Sequence, residues 1–129
     1  MIVIIAIRGA TTCSANSKGS ILEATTELLR AIITLNEVEN TEIVSMLFTA
    51  TPDITAAFPA QAARMIGLTD IPLMGAQELA VEGAPKLCIR VMLHTTQSKE
   101  RSEVRHVYLN GTRVLRPDLV QKEARFEQD

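Results

Sequence analysis

Apolar residues recur along this chain in two rhythms, and the switches between them mark out its elements. Met1-Ile2-Val3-Ile4-Ile5-Ala6-Ile7-Arg8 is rich in β-branched residues, apolar on both faces, and ends in a cation and then a glycine. Such a run predicts a central strand with Arg8 at its C-terminal tip. After the small-residue loop Gly9 to Lys18 the period changes: Ile21, Thr25, Leu28, Ile32 and Leu35, backed by Leu22, Leu29 and Ile33, return at helical intervals up to about Asn36. Ser20 and Glu23 have the spacing of a capping box, which predicts one long helix opening there.

A second extended run, Ile43 to Thr51, predicts a strand that Pro52 stops. Pro59 then opens a short helical segment that Gly67 closes. A strand from about Ile71 to Met74 leads into the Gly75-Ala76-Gln77-Glu78 loop and a turn at Gly83 to Pro85. The run Leu87-Cys88-Ile89-Arg90-Val91-Met92-Leu93 reads as a further strand, as does Val104 to Leu109. Asn110-Gly111 is a hairpin signal that puts Val114 and Leu115 on a return strand. From Pro117 onward the composition turns polar, so residues 1–116 are expected to form the domain and 117–129 a weakly ordered tail.

The order β-α-β-α-β-β-β-β predicts a single-domain α/β (α+β) fold, a mixed sheet packed by one long and one short helix. Those helices cover one face, yet several strands are apolar on both. The economical cover for the second face is another copy of the chain, so a homo-oligomer is expected.

Composition narrows the functional classes. With 129 residues, of which 47% are hydrophobic, the chain fills one core. A net charge of -2 and only 3% aromatic residues argue against a nucleic-acid surface, which wants a basic stripe and stacking platforms. The opening apolar run is too short to span a bilayer and has no basic residues before it, so neither a membrane anchor nor a signal peptide is expected. Cys13 and Cys88 are expected to remain free thiols in a reducing, cytoplasmic compartment.

Arg90 is the position that most needs a chemical explanation. Strand alternation puts it on one face with Cys88 and Met92, while Leu87, Ile89, Val91 and Leu93 line the other. A guanidinium withdrawn from water needs a carboxylate or an anionic ligand; the bland alternative is an edge-strand Arg that reaches solvent. Arg8, Arg64 and Arg116 also lie at predicted strand ends or beside apolar runs, and arginine outnumbers lysine although the chain is acidic. Planar forks suit carboxylates and phosphates. His94 and His106 lack metal-ligand spacing with a cysteine or carboxylate, no glycine-rich phosphate loop is present, and Cys88 within an apolar strand reads as inert packing. What remains is these arginines with Glu78 and Tyr108, a set able to hold a small polyanion and stabilise developing charge.

Read as strings, the segments carry a resemblance. Ile7-Arg8-Gly9-Ala10-Thr11-Thr12, Ala50-Thr51-Pro52-Asp53, Ala57-Phe58-Pro59-Ala60, Gln77-Glu78, Cys88-Ile89-Arg90-Val91-Met92, Val104-Arg105-His106-Val107-Tyr108-Leu109 and Arg116-Pro117-Asp118-Leu119 follow one another in order from residue 3 to about 119. Together they resemble the AroH class of chorismate mutase, a trimeric pseudo-α/β barrel. The resemblance implies a cofactor-free pericyclic conversion of chorismate to prephenate in aromatic amino-acid biosynthesis, with sites between subunits of a homotrimer.

It further implies that Arg90 donates to the ether oxygen and to a substrate carboxylate, that Arg8 and Tyr108 hold the enolpyruvyl carboxylate, and that Glu78 accepts from the ring hydroxyl. Phe58 and Arg64 would come from the neighbouring subunit, with Ala60, Gln61, Met74 and Gly75 lining the same pocket and Leu115 and Arg116 near its mouth. Gln61 stands where some relatives carry a lysine, and Gly75 where some carry a hydrogen-bonding side chain, which bears on affinity more than on reaction type. Two other readings stay open: a trimeric imine deaminase-like enzyme, whose C-terminal arginine motif is not evident, and a non-catalytic trimeric anion-sensing module.

Overall fold

Strand alternation divides this molecule into a face packed by helices and a face left open. The computed structural model describes residues 2–115 and runs β1 (Val3–Thr12), α1 (Lys18–Leu35), β2 (Ile43–Ala50), α2 (Gln61–Met65), β3 (Leu73–Gln77), β4 (Cys88–Gln97) and β5 (Val107–Tyr108). Short 3-10 turns lie at Asn40–Glu42, Arg101–Glu103 and Asn110–Leu115. The five-stranded sheet has the order β3-β2-β4-β1-β5 and is mixed: β4 is antiparallel to β1 and β2, while β3 and β5 pair in parallel at the two edges. The expected tail at 117–129 and Arg116 lie outside the described residues.

The core follows from period. On β4 the residues Ile89, Val91 and Leu93 are buried, matched by Ile7 on β1 and by Met46 and Phe48 on β2. From α1 the face made by Ile21, Leu22, Thr25, Leu28, Leu29 and Ile32 is buried against them. Each fully buried Leu or Ile here contributes about 1.5 to 3 kcal/mol relative to exposure. The helix sits close to the sheet because β1 has no side chain at Gly9: a Cβ there would stand 2.5 Å from Ile32 Cδ1 and 3.1 Å from Leu28 Cδ1.

Several boundaries differ from the sequence reading. Strand β1 does not stop at Arg8; it is paired with β4 from Val3↔Gln97 through Thr12↔Cys88, so Arg8 lies inside the sheet. The helix is capped one turn earlier than expected, by Ser17, whose hydroxyl accepts from the Ser20 amide at 3.2 Å. Strand β3 is shifted to Leu73–Gln77, because the free edge of β2 offers parallel partners from Met46↔Leu73 to Ala50↔Gln77. The short helix between Pro59 and Gly67 is present, with the Ala62 amide bonded to Pro59 O and Gly67 at φ +95 after its end.

The expected hairpin at Asn110-Gly111 is not formed. Asn110 does take a positive φ of 54, but the chain continues as a 3-10 turn instead of a return strand. The end of β1 captures it. Asn110 Nδ2 donates to Thr11 Oγ1 at 2.9 Å, the Gly111 amide to Thr12 Oγ1 at 3.0 Å, and Thr112 Oγ1 to Ala10 O at 2.9 Å. Strand β5 is accordingly only two residues long, preceded not by more strand but by the 101–103 turn.

Buried Asn36 fixes where β5 lies. At the end of α1 its side chain donates to Ile32 O and Arg105 O, both at 2.9 Å, and accepts from the Arg105 amide at 2.8 Å. Its carbonyl accepts from Gln97 Nε2 at 3.1 Å and Lys99 Nζ at 2.6 Å. The helix end, β4 and the segment entering β5 are thereby tied to one residue.

Candidate active site

The sheet face away from the helices carries the chemistry; it is exposed on the β3 side and buried at Ala10 and Tyr108. Register places Thr49 of β2 opposite Arg90 of β4, Arg90 opposite Ala10 of β1, and Ala10 opposite Tyr108 of β5. With Ala76 of β3 opposite Thr49, one cross-strand row spans the whole sheet. Ala10 is fully buried in it, a small residue between two large ones. Arg8 pairs with Met92, so it is the diagonal neighbour of Arg90, at about 7 to 8 Å between Cα atoms on the same face. Two guanidiniums thus stand on one patch.

Glu78 completes this group. It follows β3 directly, and its amide donates to Ala50 O at 2.8 Å, which brings the side chain back over β2 and β4. Arg90 Nε lies 3.1 Å from Glu78 Oε1, with the side chains 34% and 15% exposed respectively. The contact is ionic: the N–H does not point along that line, and Nε makes no hydrogen bond. Thr49 Oγ1 donates to the same Oε1 at 2.9 Å. Among the described residues the η nitrogens of Arg90 meet no acceptor, and the side chain is 34% exposed although Nε is buried. Arg8 and Arg90 against one carboxylate leave a net positive patch fit for an anion.

The other residues singled out in the sequence lie elsewhere on the same chain. Phe58, Ala60, Gln61, Arg64, Met74 and Gly75 line a cleft of about 780 Å³ between the α2 segment and the β2–β3 edge. Arg8, Arg90, Tyr108 and Glu78 do not line it, although Thr49 and Gln77 do. Phe58 is 79% exposed and Met74 70% exposed, so the apolar part of this cleft is uncovered. A single chain therefore holds two groups of candidate residues that do not close on each other. Leu115 ends the last 3-10 turn; its side chain, like Arg116, lies outside the described residues.

A second clamp holds the base of the site. Thr51 Oγ1 donates to Asp53 Oδ1 at 2.5 Å, the Leu87 amide donates to Asp53 Oδ2 at 3.0 Å, and the Cys88 amide donates to Thr51 Oγ1 at 2.9 Å. The Thr51 hydroxyl, then the Leu87 amide, hold the Asp53 carboxyl below its ordinary value. This clamp fixes the start of β4, two residues before Arg90. Burial pushes the Cys88 thiol up to about 11 against the opposing pull of the Arg90 guanidinium. At neutral pH it is a packed thiol, not a nucleophile. Among the described residues no three His, Cys, Asp or Glu side chains cluster to hold a metal ion.

Comparison with known proteins decides the lineage. A family model described as chorismate mutase type I matches residues 4–119. This chain belongs to the chorismate mutase type I family. The chorismate mutase AroH of Bacillus subtilis (strain 168) is 44% identical over 114 residues, covering 88% of this chain and 90% of that protein. The chorismate mutase AroH of Thermus thermophilus is 41% identical over 114 residues, covering 88% and 93%. A solved chorismate mutase from Clostridium thermocellum superposes with a TM-score of 0.84 at 45% identity, covering 85% of this chain and 98% of that one. Membership of the chorismate mutase type I family accounts for the mixed sheet and its helices. It does not favour the deaminase or sensor readings.

Two features of the site were missed in the sequence. Thr49 is one of many threonines on a strand, and nothing local separates it from a solvent-facing one. Its register opposite Arg90 is a tertiary fact. Asp53 carried a weak signal, since Thr51-Pro52-Asp53 is a turn sequence in which a carboxylate commonly accepts main-chain bonds.

Proposed function

We propose that this protein is a chorismate mutase that isomerises chorismate to prephenate without a cofactor. The observation that carries the reading is Arg90, ion-paired at Nε with Glu78 and a diagonal neighbour of Arg8 on one sheet face, on a chain of this family. The rearrangement breaks a C–O bond and makes a C–C bond in one step, with no proton transferred. The protein's task is then to hold a dicarboxylate in its folded shape and to meet the charge that grows on the ether oxygen.

Arg90 donates to that oxygen and to a carboxylate, Arg8 and Tyr108 hold the enolpyruvyl carboxylate, and Glu78 accepts from the ring hydroxyl. A millionfold acceleration takes about 8 kcal/mol off the barrier. One preorganised donor on developing charge supplies about 3 to 4 kcal/mol, and orientation of the flexible arm supplies much of the rest.

The working assembly is a homotrimer, in which the cleft of one chain, with Phe58, Ala60, Gln61, Arg64, Met74 and Gly75, closes over the Arg90 face of the next. The uncovered apolar side chains of both groups support this. Ile4 is 64% exposed on the open face, and Phe58 79% exposed in the cleft. Leu115 and Arg116 would stand near the mouth, with residues 1–116 as the working domain and 117–129 as an appended polar segment. Two buried free thiols suit a cytoplasmic setting.

Incubation of the purified protein with chorismate, followed by ultraviolet absorbance and product identification, tests the activity. Loss of chorismate with prephenate formed is expected; tight binding without turnover would overturn it. Shared sites are tested by mixing two inactive variants, Arg90→Ala and Arg64→Ala, under conditions that exchange subunits. Recovered activity is expected, because some interfaces then carry neither change; none recovered, despite mixed trimers in a mass spectrum, would overturn the shared site.

A further inference from the structure

We infer that Thr49 is a positioning residue for this reaction, holding the Glu78 carboxylate so that Oε1 is kept against Arg90 and Oε2 is presented to the substrate's ring hydroxyl. The inference rests on the reading of Glu78 as the acceptor of that hydroxyl. Glu78 lies just beyond the last paired residue of β3, and Leu79 after it is 84% exposed, so packing from its own segment does little to hold it. The last torsion of a glutamate is broad, and nothing intrinsic chooses which oxygen faces the ligand.

Three contacts remove that freedom. The Glu78 amide is bonded to Ala50 O at 2.8 Å, which fixes the backbone beside Thr49. Thr49 Oγ1 donates to Oε1 at 2.9 Å, and Arg90 Nε meets the same oxygen at 3.1 Å. Thr49 and Arg90 are register partners, so the two grips come from facing positions on adjacent strands. A β-branched side chain in a strand has few χ1 choices, and the hydroxyl is aimed before the carboxylate arrives. Among the described residues no contact is made to Oε2, which keeps its accepting capacity for a ligand. Thr49 also lines the cleft that holds Phe58 and Arg64.

The test is a double-mutant cycle on kcat and KM with Thr49→Val, which keeps the branched shape and loses the hydroxyl, and Thr49→Ser, which keeps the hydroxyl. A hydrogen bond to a charged group predicts about a tenfold loss of kcat/KM for Thr49→Val, mostly in KM because the ring hydroxyl is bound in ground and transition state alike. Thr49→Ser stays within about threefold of wild type, since it retains the donor. In a Glu78→Ala background, Thr49→Val brings no further loss. Wild-type kinetics for Thr49→Val, or an equal loss in both backgrounds, would overturn the inference. Full activity of Glu78→Ala alone would sink the Glu78 reading itself, a separate failure. Should Thr49→Val not fold, Thr49→Ala carries the same comparison.

Discussion

The two faces of one strand, β4, obey different physics. Ile89, Val91 and Leu93 point into the helix-covered core, while Arg90, Met92 and His94 alternate with them and remain half-exposed. On the packed face the interactions are many and each is replaceable in kind, since any side chain of similar volume serves. On the open face they are few and directional: one guanidinium, one carboxylate and one hydroxyl, with distances set by register. A single residue of slip would exchange the two faces, so the core that stabilises the fold is also what aims the chemistry.

This contrast can be broken most sharply at Arg90. Replacing Arg90 by Lys keeps the charge and loses the fork, and a hundred- to thousandfold drop in kcat, about 3 to 4 kcal/mol of barrier, is expected with the melting temperature almost unchanged. Steady-state kinetics beside a thermal melt checks it, and near wild-type turnover would end the electrostatic account. The reverse behaviour belongs to the packed face. Leu93→Ala, at a fully buried position, should cost roughly 2 to 5 kcal/mol of stability in a denaturant titration while leaving kcat per folded molecule intact.

A third variant separates folding from assembly. Ile4 is 64% exposed on the open face, so Ile4→Glu should change the stability of the isolated fold by no more than about 0.5 kcal/mol. In the proposed trimer it introduces an unpaired carboxylate at a covered surface, and light scattering should report smaller particles. An unaltered assembly would show that this part of the face is not covered.

The smallest effect concerns pH. A cysteine in the unfolded chain ionises near 9.0, and burial pushes Cys88 up to about 11. Between those values the unfolded chain has lost a proton that the folded one keeps, so ionisation favours unfolding. The stability held below pH 9 therefore falls as pH rises toward 11. Denaturant titrations across that window should show the decline, and Cys88→Ala should flatten part of it.

Legibility in the sequence followed the same division. The long helix and the strand around Arg90 were readable because their periods are set by the core, and a cation interrupting an apolar run announces itself. Arg8 was visible as a residue but misplaced at a strand tip, because the polar-looking Gly9 to Thr12 gave no hint that pairing on both sides would carry the strand onward. Asn110-Gly111 failed for a related reason. The dipeptide supplies the positive φ that a tight turn requires, and Thr11 and Thr12 on a distant strand then decided which way the chain left it. Thr49 was invisible, since its role exists only once β2 and β4 are in register.

Gly9 has a consequence for how this sequence is able to change. Its missing side chain leaves room for Ile32 Cδ1, the movable tip of a side chain, so bulk at position 9 is accommodated most easily where it is shed at position 32. A selection that randomises both should return a larger residue at position 9 most often beside a smaller one at position 32.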